Sequence, residues 1–175
     1  LSKKSRQKIS YMVMQDVNYE LFAESVEAEC SFGIKNPDAN LVAETMDALG
    51  LTPFSEQHPG TLSGGQKQRL AVAVGQVCKK ELILFDEPTS GLDYESMERV
   101  AKIVRKLSEQ GKILFIVTHD YEFFCRTCSR MLVFSDGKIH CDLQCRAENK
   151  EEIRQLFFSA AGEKQSGNKE GDCFA

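Results

Sequence analysis

Two adjacent carboxylates, Asp86 and Glu87, follow an unbroken apolar run, Leu82-Ile83-Leu84-Phe85, and lead into Pro88. Such a run reads as a buried parallel strand covered by helices on both faces. Ligands of open α/β sheets gather where strands of this kind end. Some twenty residues upstream, Leu62-Ser63-Gly64-Gly65-Gln66-Lys67-Gln68-Arg69 combines a helix start with a glycine pair. Ser63 can cap the helix and Gln66, three residues on, can reach back as in a capping box, which places Gly64 and Gly65 in the first turn. Bare N–H groups at a helix N-terminus, aligned with its dipole, attract phosphate, and glycine has no side chain to keep the oxygens away. His119 follows a second apolar run, Ile113-Leu114-Phe115-Ile116-Val117. A histidine emerging beside two carboxylates points to a site that handles phosphate and protons.

The elements that must position these groups follow from periodicity. Residues 9–14 are a short strand candidate that releases Gln15-Asp16 into a βα turn. Residues 21–33 and 41–49 carry helical spacing, separated by the breaker Asn36-Pro37-Asp38 and ended at Gly50-Leu51, so residues 20–62 form a small helical layer. Beyond the glycine pair, Leu70, Ala71, Val72, Ala73, Val74 and Val77 make a buried helix of small aliphatic residues. Lys67 and Arg69 at its start read as a solvated face. Met97, Val100, Ala101, Val104 and Leu107 follow i, i+3, i+4, i+7 spacing up to Gly111. That helix joins the two apolar strands as a βαβ unit. The strands are therefore parallel, and His119 and Glu87 are expected at the same sheet edge. Residues 131–139 predict a hairpin about Asp136-Gly137, residues 148–158 a last amphipathic helix, and 161–175 an unstructured tail rich in Gly, Ser, Lys and Glu.

Composition sets the outer bounds. The 175 residues are 42% hydrophobic and 27% charged, enough for the core of one α/β unit. A net charge of −4 provides no basic footprint for nucleic acid, and no apolar stretch approaches the ~20 residues that span a bilayer. Seven cysteines without a secretory signal fit a reducing compartment in which most are small buried hydrophobes. Cys125-x-x-Cys128 followed by His140, Cys141 and Cys145 has zinc-like elements. The first pair falls in an apolar helix and the second lacks a tight knuckle, which disfavours zinc.

Taken together, Leu62-Ser63-Gly64-Gly65-Gln66 and Leu82 through Glu87 resemble the signature and Walker B motifs of ATP-binding cassette (ABC) ATPases. Ser90-Gly91-Leu92-Asp93 is similar to that family's D-loop, His119 to its switch histidine and Gln15 to its Q-loop glutamine. The resemblance runs over about residues 9–139, and in its finer wording it is to the energy-coupling-factor branch, which powers micronutrient uptake. It implies an α/β, P-loop NTPase-like core with a mostly parallel sheet and an inserted helical subdomain. It further implies ATP and Mg2+ as ligands, a second ABC ATPase subunit and a transmembrane coupling subunit as partners, and a peripheral place at the cytoplasmic face of the membrane.

By the same resemblance Asp86 and Gln15 meet the magnesium, Glu87 polarises the attacking water and His119 contacts the γ-phosphate. Ser63, Gly64, Gly65 and Gln66 would face the nucleotide of the other subunit, and Asp93 the interface between subunits. One element is missing. No G-x-x-x-x-G-K-[ST] loop is present, and the family places that loop upstream of the Q-loop. The chain is therefore expected to be an ABC ATPase domain incomplete at its N-terminus, covering residues 1–160, and not competent alone. The alternatives are a soluble, non-transport ABC ATPase and a degenerate half that offers only its signature in trans.

Overall fold

The computed structural model describes residues 2–160, and the tail expected over 161–175 lies outside them. The chain divides into two compact units, the first ending at Thr118 and the second beginning at His119.

The first unit is built on a three-stranded parallel sheet. Its strands are β1 (Ser10–Val13), β2 (Leu82–Asp86) and β3 (Ile113–Val117), with β2 in the centre. The sequence leads into β1 through a helix that periodicity does not reveal, α1 (Lys3–Ile9), because its residues are basic and polar with no apolar stripe. Its ends explain it. Ser2 caps the N-terminus by accepting the Ser5 amide, Arg6 and Lys8 sit in the last turn where the dipole favours cations, and the Lys80 ammonium donates to the carbonyls of Gln7 and Lys8 at 3.0 and 2.9 Å. A lysine in a connecting loop thus holds down the last turn of a helix remote in sequence.

The helical layer is shorter than its spacing suggests. Of residues 21–33 only α2 (Val26–Cys30) is α-helical, capped by Ser25. The reason is Glu29: its Oε2 accepts the amides of Phe22 and Ala23 at 2.7 and 2.6 Å, which pins the preceding segment outside the helix. Next comes α3 (Ala39–Ala48), capped by Asp38, burying Val42, Thr45 and Met46. It ends in a Schellman motif, with the Leu51 amide on the Met46 carbonyl, the Gly50 amide on the Asp47 carbonyl, and Gly50 at φ +64°.

Two longer helices carry the core. Ser63 starts α4 (Gly64–Val77), which packs against α2, α3 and β1, and Asp93 starts α5 (Tyr94–Glu109). The apolar positions of α5 picked out by spacing, Met97, Val100, Ala101, Val104 and Leu107, are all buried. On the sheet, Val13, Ile83 and Phe85 point into this core and are at most 1% exposed. The register pairs Met12 with Leu84 and Phe115, and Leu82 with Ile113, on the opposite face. There Met12, Ile113, Phe115 and Val117 are 44–62% exposed. The strands have the composition of a sheet buried on both faces, but the described helices of this unit cover only one.

The second unit begins with α6 (Tyr121–Thr127), capped by Asp120, followed by the antiparallel hairpin of β4 (Arg130–Ser135) and β5 (Lys138–Gln144). The hairpin turns at Asp136 and Gly137, both at positive φ, as a two-residue Asp-Gly connection requires. Its last described element is α7 (Lys150–Ala160). Phe124, Cys125, Met131, Ile153 and Phe157 form its small core, with Tyr121 set edge-on to Phe157 at 5.3 Å between ring centroids.

Candidate functional site

The glycine turn at the head of α4 is built as its sequence requires. Ser63 is extended (φ −64°, ψ 161°), its Oγ accepts the Gln66 amide at 3.3 Å, and Gln66 Oε1 accepts the Ser63 amide at 2.8 Å. This reciprocal pair satisfies the amides of Ser63 and Gln66. It leaves those of Gly64 and Gly65, which precede the helix's own bonding pattern, without an intrahelical partner. The two glycines are not equivalent. A Cβ at Gly64 would meet nothing within 4 Å, whereas one at Gly65 would stand 3.3 Å from Leu92 Cδ2 and 3.7 Å from the Gly91 carbonyl. The glycine turn of α4 therefore lies directly against the Ser90-Gly91-Leu92-Asp93 turn of the same chain.

Two residues bind these turns together, and the solvated-face reading of Arg69 is corrected by one of them. Arg69 Nη1 donates to Ser96 Oγ at 2.6 Å, with its Nε buried and unpartnered. Burial lowers the guanidinium's pKa, against the opposing pull of Asp93. Asp93 caps α5 by accepting the Ser96 amide at 2.7 Å, and its hydrogen bonds from Ser96 hold the carboxyl below the usual range. Lys67 is also engaged, through its ammonium to Asn18 Oδ1 at 2.9 Å. The second tie is Gln68, 3% exposed, whose Nε2 donates to the Glu87 carbonyl at 3.4 Å. Periodicity passes over Gln68 because it lies in an otherwise apolar helix. A buried amide there is itself the signal, since such a group needs a partner.

Asp86 ends β2 opposite Val117 of β3. Glu87 leaves the strand in a left-handed conformation, φ +50°, which costs a side-chain-bearing residue roughly 1–2 kcal/mol. Tertiary contacts hold it there. Its amide donates to the Val117 carbonyl at 2.9 Å, and its own carbonyl accepts the Ser90 amide at 3.1 Å as well as Gln68. Left-handed residues of this kind cluster at functional sites. Gln15 is exposed, two residues past β1. With Ser10 opposite Leu82 and Val13 opposite Phe85, it leaves the sheet at the same edge as Asp86 and Glu87. His119 opens the second unit, immediately before the Asp120 cap of α6.

The donor set can be tested against the expected ligands. Among the described residues no three His, Cys, Asp or Glu side chains gather as a ready-made metal cage. Asp86 fits a magnesium ion that keeps its waters and takes its remaining ligands from phosphate oxygens, as this cation prefers. The bare amides of Gly64 and Gly65 fit phosphate oxygens. Cys125, Cys128, Cys141 and Cys145 are buried or half-buried, and burial pushes the Cys128 thiol up to about 11, which keeps it protonated.

A glycine-started helix packed on a parallel sheet whose central strand ends in two carboxylates is an α/β arrangement suited to phosphate, and comparison with known proteins gives its family. The family model described as ABC transporter matches residues 1–90, half of the 175-residue chain, and the chain belongs to that family. A putative ABC transporter ATP-binding protein of Treponema denticola is 47% identical over 158 residues, which are 90% of this chain and 32% of that protein. An energy-coupling factor transporter ATP-binding protein, EcfA, of Methanothermobacter thermautotrophicus is 33% identical over 78% of this chain and 45% of its own length. Among solved structures, the ATP-binding cassette MJ0796, a dimer in a post-hydrolysis state bound to ADP and Pi, superposes with a TM-score of 0.69. It is 27% identical, over 84% of this chain and 69% of that one. The chain spans about a third of the length of the first curated relatives it matches.

Proposed function

We propose that this chain is part of an ATP-binding and hydrolysing subunit of an ABC-type importer that energises uptake of a micronutrient such as a metal ion or vitamin. The observation that carries the reading is the junction of the bare-amide turn of α4 with the Asp86–Glu87 strand end, tied by Gln68 and by Leu92. Relatives named energy-coupling factor ATPases support the importer assignment. Asp86 is assigned to the shell of a magnesium ion, which when bound neutralises charge on the phosphates. Glu87 orients the attacking water and takes its proton, Gln15 helps position that water and the ion from the neighbouring strand end, and His119 contacts the γ-phosphate. Ser63, Gly64, Gly65 and Gln66 bind the γ-phosphate of ATP held by a second ABC subunit, with Asp93 at the interface between the two. In this reading a transmembrane coupling subunit holds the pair at the cytoplasmic face of the membrane. None of the described helices is long and apolar enough to cross it.

The deciding experiment is Glu87→Gln in the intact protein. Turnover should fall by about 10²–10³-fold, while ATP binding persists and the closed dimer accumulates. Near-wild-type turnover would remove Glu87 from the role.

A further inference from the structure

The segment carrying Gln15 is closed by a carboxylate that the proposed chemistry does not use. Beyond Val13 the Met14 amide donates to Glu20 Oε1 at 3.1 Å, so residues 15–19 form a loop with Glu20 at its neck. The loop is otherwise held by contacts of its own and by one from α4. Asp16 accepts the Asn18 amide at 3.1 Å, the Glu20 amide returns to the Val17 carbonyl at 3.1 Å, and Asn18 Oδ1 meets the Lys67 ammonium of α4. The other carboxylate oxygen of Glu20, Oε2, is buried with no hydrogen-bond partner. Burial pushes the carboxyl up to about 7, against the Met14 amide, which pulls it down. A part-buried acid whose hydrogen-bond partner is one backbone amide is an expensive way to close a surface loop, and such groups call for a reason. Glu29 shows the contrast: it is fully buried, and its carboxylate accepts two backbone amides and anchors the segment before α2.

We propose that Glu20 is a positioning residue for Gln15: by holding the Met14 amide it sets the point at which β1 releases the chain, and hence where Gln15 stands at the Asp86–Glu87 sheet edge. The inference rests on the ATPase reading above for its consequence, but its geometry does not. Misplacing a reacting group by about an ångström costs on the order of 10²-fold in rate, so loss of the clasp acts on turnover more than on nucleotide affinity.

Two near-isosteric variants of the intact protein separate this from a merely structural role. Glu20→Met keeps the bulk and removes the acceptor, and Glu20→Gln keeps an acceptor oxygen. Hydrogen exchange over the Met14–Gln15 peptide and steady-state ATPase kinetics are measured on both. In Glu20→Met the Met14 amide should exchange at least about 10-fold faster. In the same variant kcat should fall roughly 10-fold or more with KM for ATP within about 2-fold, and Glu20→Gln should restore both readouts. Unchanged exchange in Glu20→Met overturns the clasp. Faster exchange with unchanged kcat overturns the positioning role, as does a Glu20→Gln variant as impaired as Glu20→Met. A wild-type protein without ATPase activity would instead overturn the function proposed above, with the exchange measurement still deciding the clasp.

Discussion

The two turns of the proposed site are held by different physics. The Ser63–Gln66 turn closes on itself, because both of its capping bonds join residues three apart and its glycines need only the absence of side chains. The Asp86–Glu87 turn has one local bond, from the Ser90 amide to the Glu87 carbonyl, and the rest of its support is remote. It depends on the Val117 carbonyl of a neighbouring strand, on Gln68 of another helix, and on a backbone conformation that a glutamate does not favour by itself. The first turn forms wherever its own residues do. The second exists only if α4, β2 and β3 are already assembled.

That contrast can be broken most severely at Gly65, where the α4 turn touches the Ser90–Asp93 turn that follows Glu87. Gly65→Asp puts a carboxylate among the bare amides and a side chain against Leu92, so ATP-driven dimerisation should be lost, as read by light scattering with a non-hydrolysable analogue. Gly65→Ala should weaken dimerisation more than Gly64→Ala, since its added carbon stands against Leu92 as well as the nucleotide, whereas nothing of the chain itself lies within 4 Å of the carbon added at Gly64. Equal behaviour of the two alanine variants would show that the turns do not communicate through Leu92.

Gln68→Leu sharpens the comparison from the other side, because it removes the donor to the Glu87 carbonyl and keeps an apolar side chain in a buried place. Turnover should drop about 10-fold, equivalent to ~1.4 kcal/mol on the barrier. The Ser63 capping box should be untouched, judged by unchanged exchange protection at the start of α4. Ser63→Ala tests the local turn alone: losing the cap costs ~1 kcal/mol of stability and should lower Tm by about 2–4 °C.

The smallest expected effect is a pH dependence from the helical layer. The Glu20 carboxyl is raised from 4.5 to about 7, first by burial. A raised folded-state pKa stabilises most when the group is protonated in both states, below about 4.5. That contribution is lost as pH rises through about 7. For this part-exposed carboxylate, solvent screening limits the loss to on the order of 1 kcal/mol. The Tm of Glu20→Gln relative to wild type should therefore rise between pH 4.5 and 7 and level off above. A flat difference over that window would show that Glu20 titrates normally.

The signals that travel along the chain were legible in it. The Ser63–Gln66 cap, the spacing of Met97 through Leu107, the Asp-Gly hairpin and the strand that ends in Asp86 depend on neighbours a few residues apart, and their chemistry is written in residue type. These were enough to specify parallel strands and the family. Local spacing was not enough where a distant group decides. The helix expected from residue 21 begins at Val26 because Glu29 captures two amides ahead of it. The polar α1 exists because Ser2 and Lys80 satisfy its ends, and Arg69 is withdrawn from solvent by Ser96. Only the tertiary structure could set the left-handed path of Glu87, the clasp of Glu20 on Met14, and which face of the sheet is covered. Each is a bond or a contact between groups far apart in sequence, and periodicity has no term for such a partner.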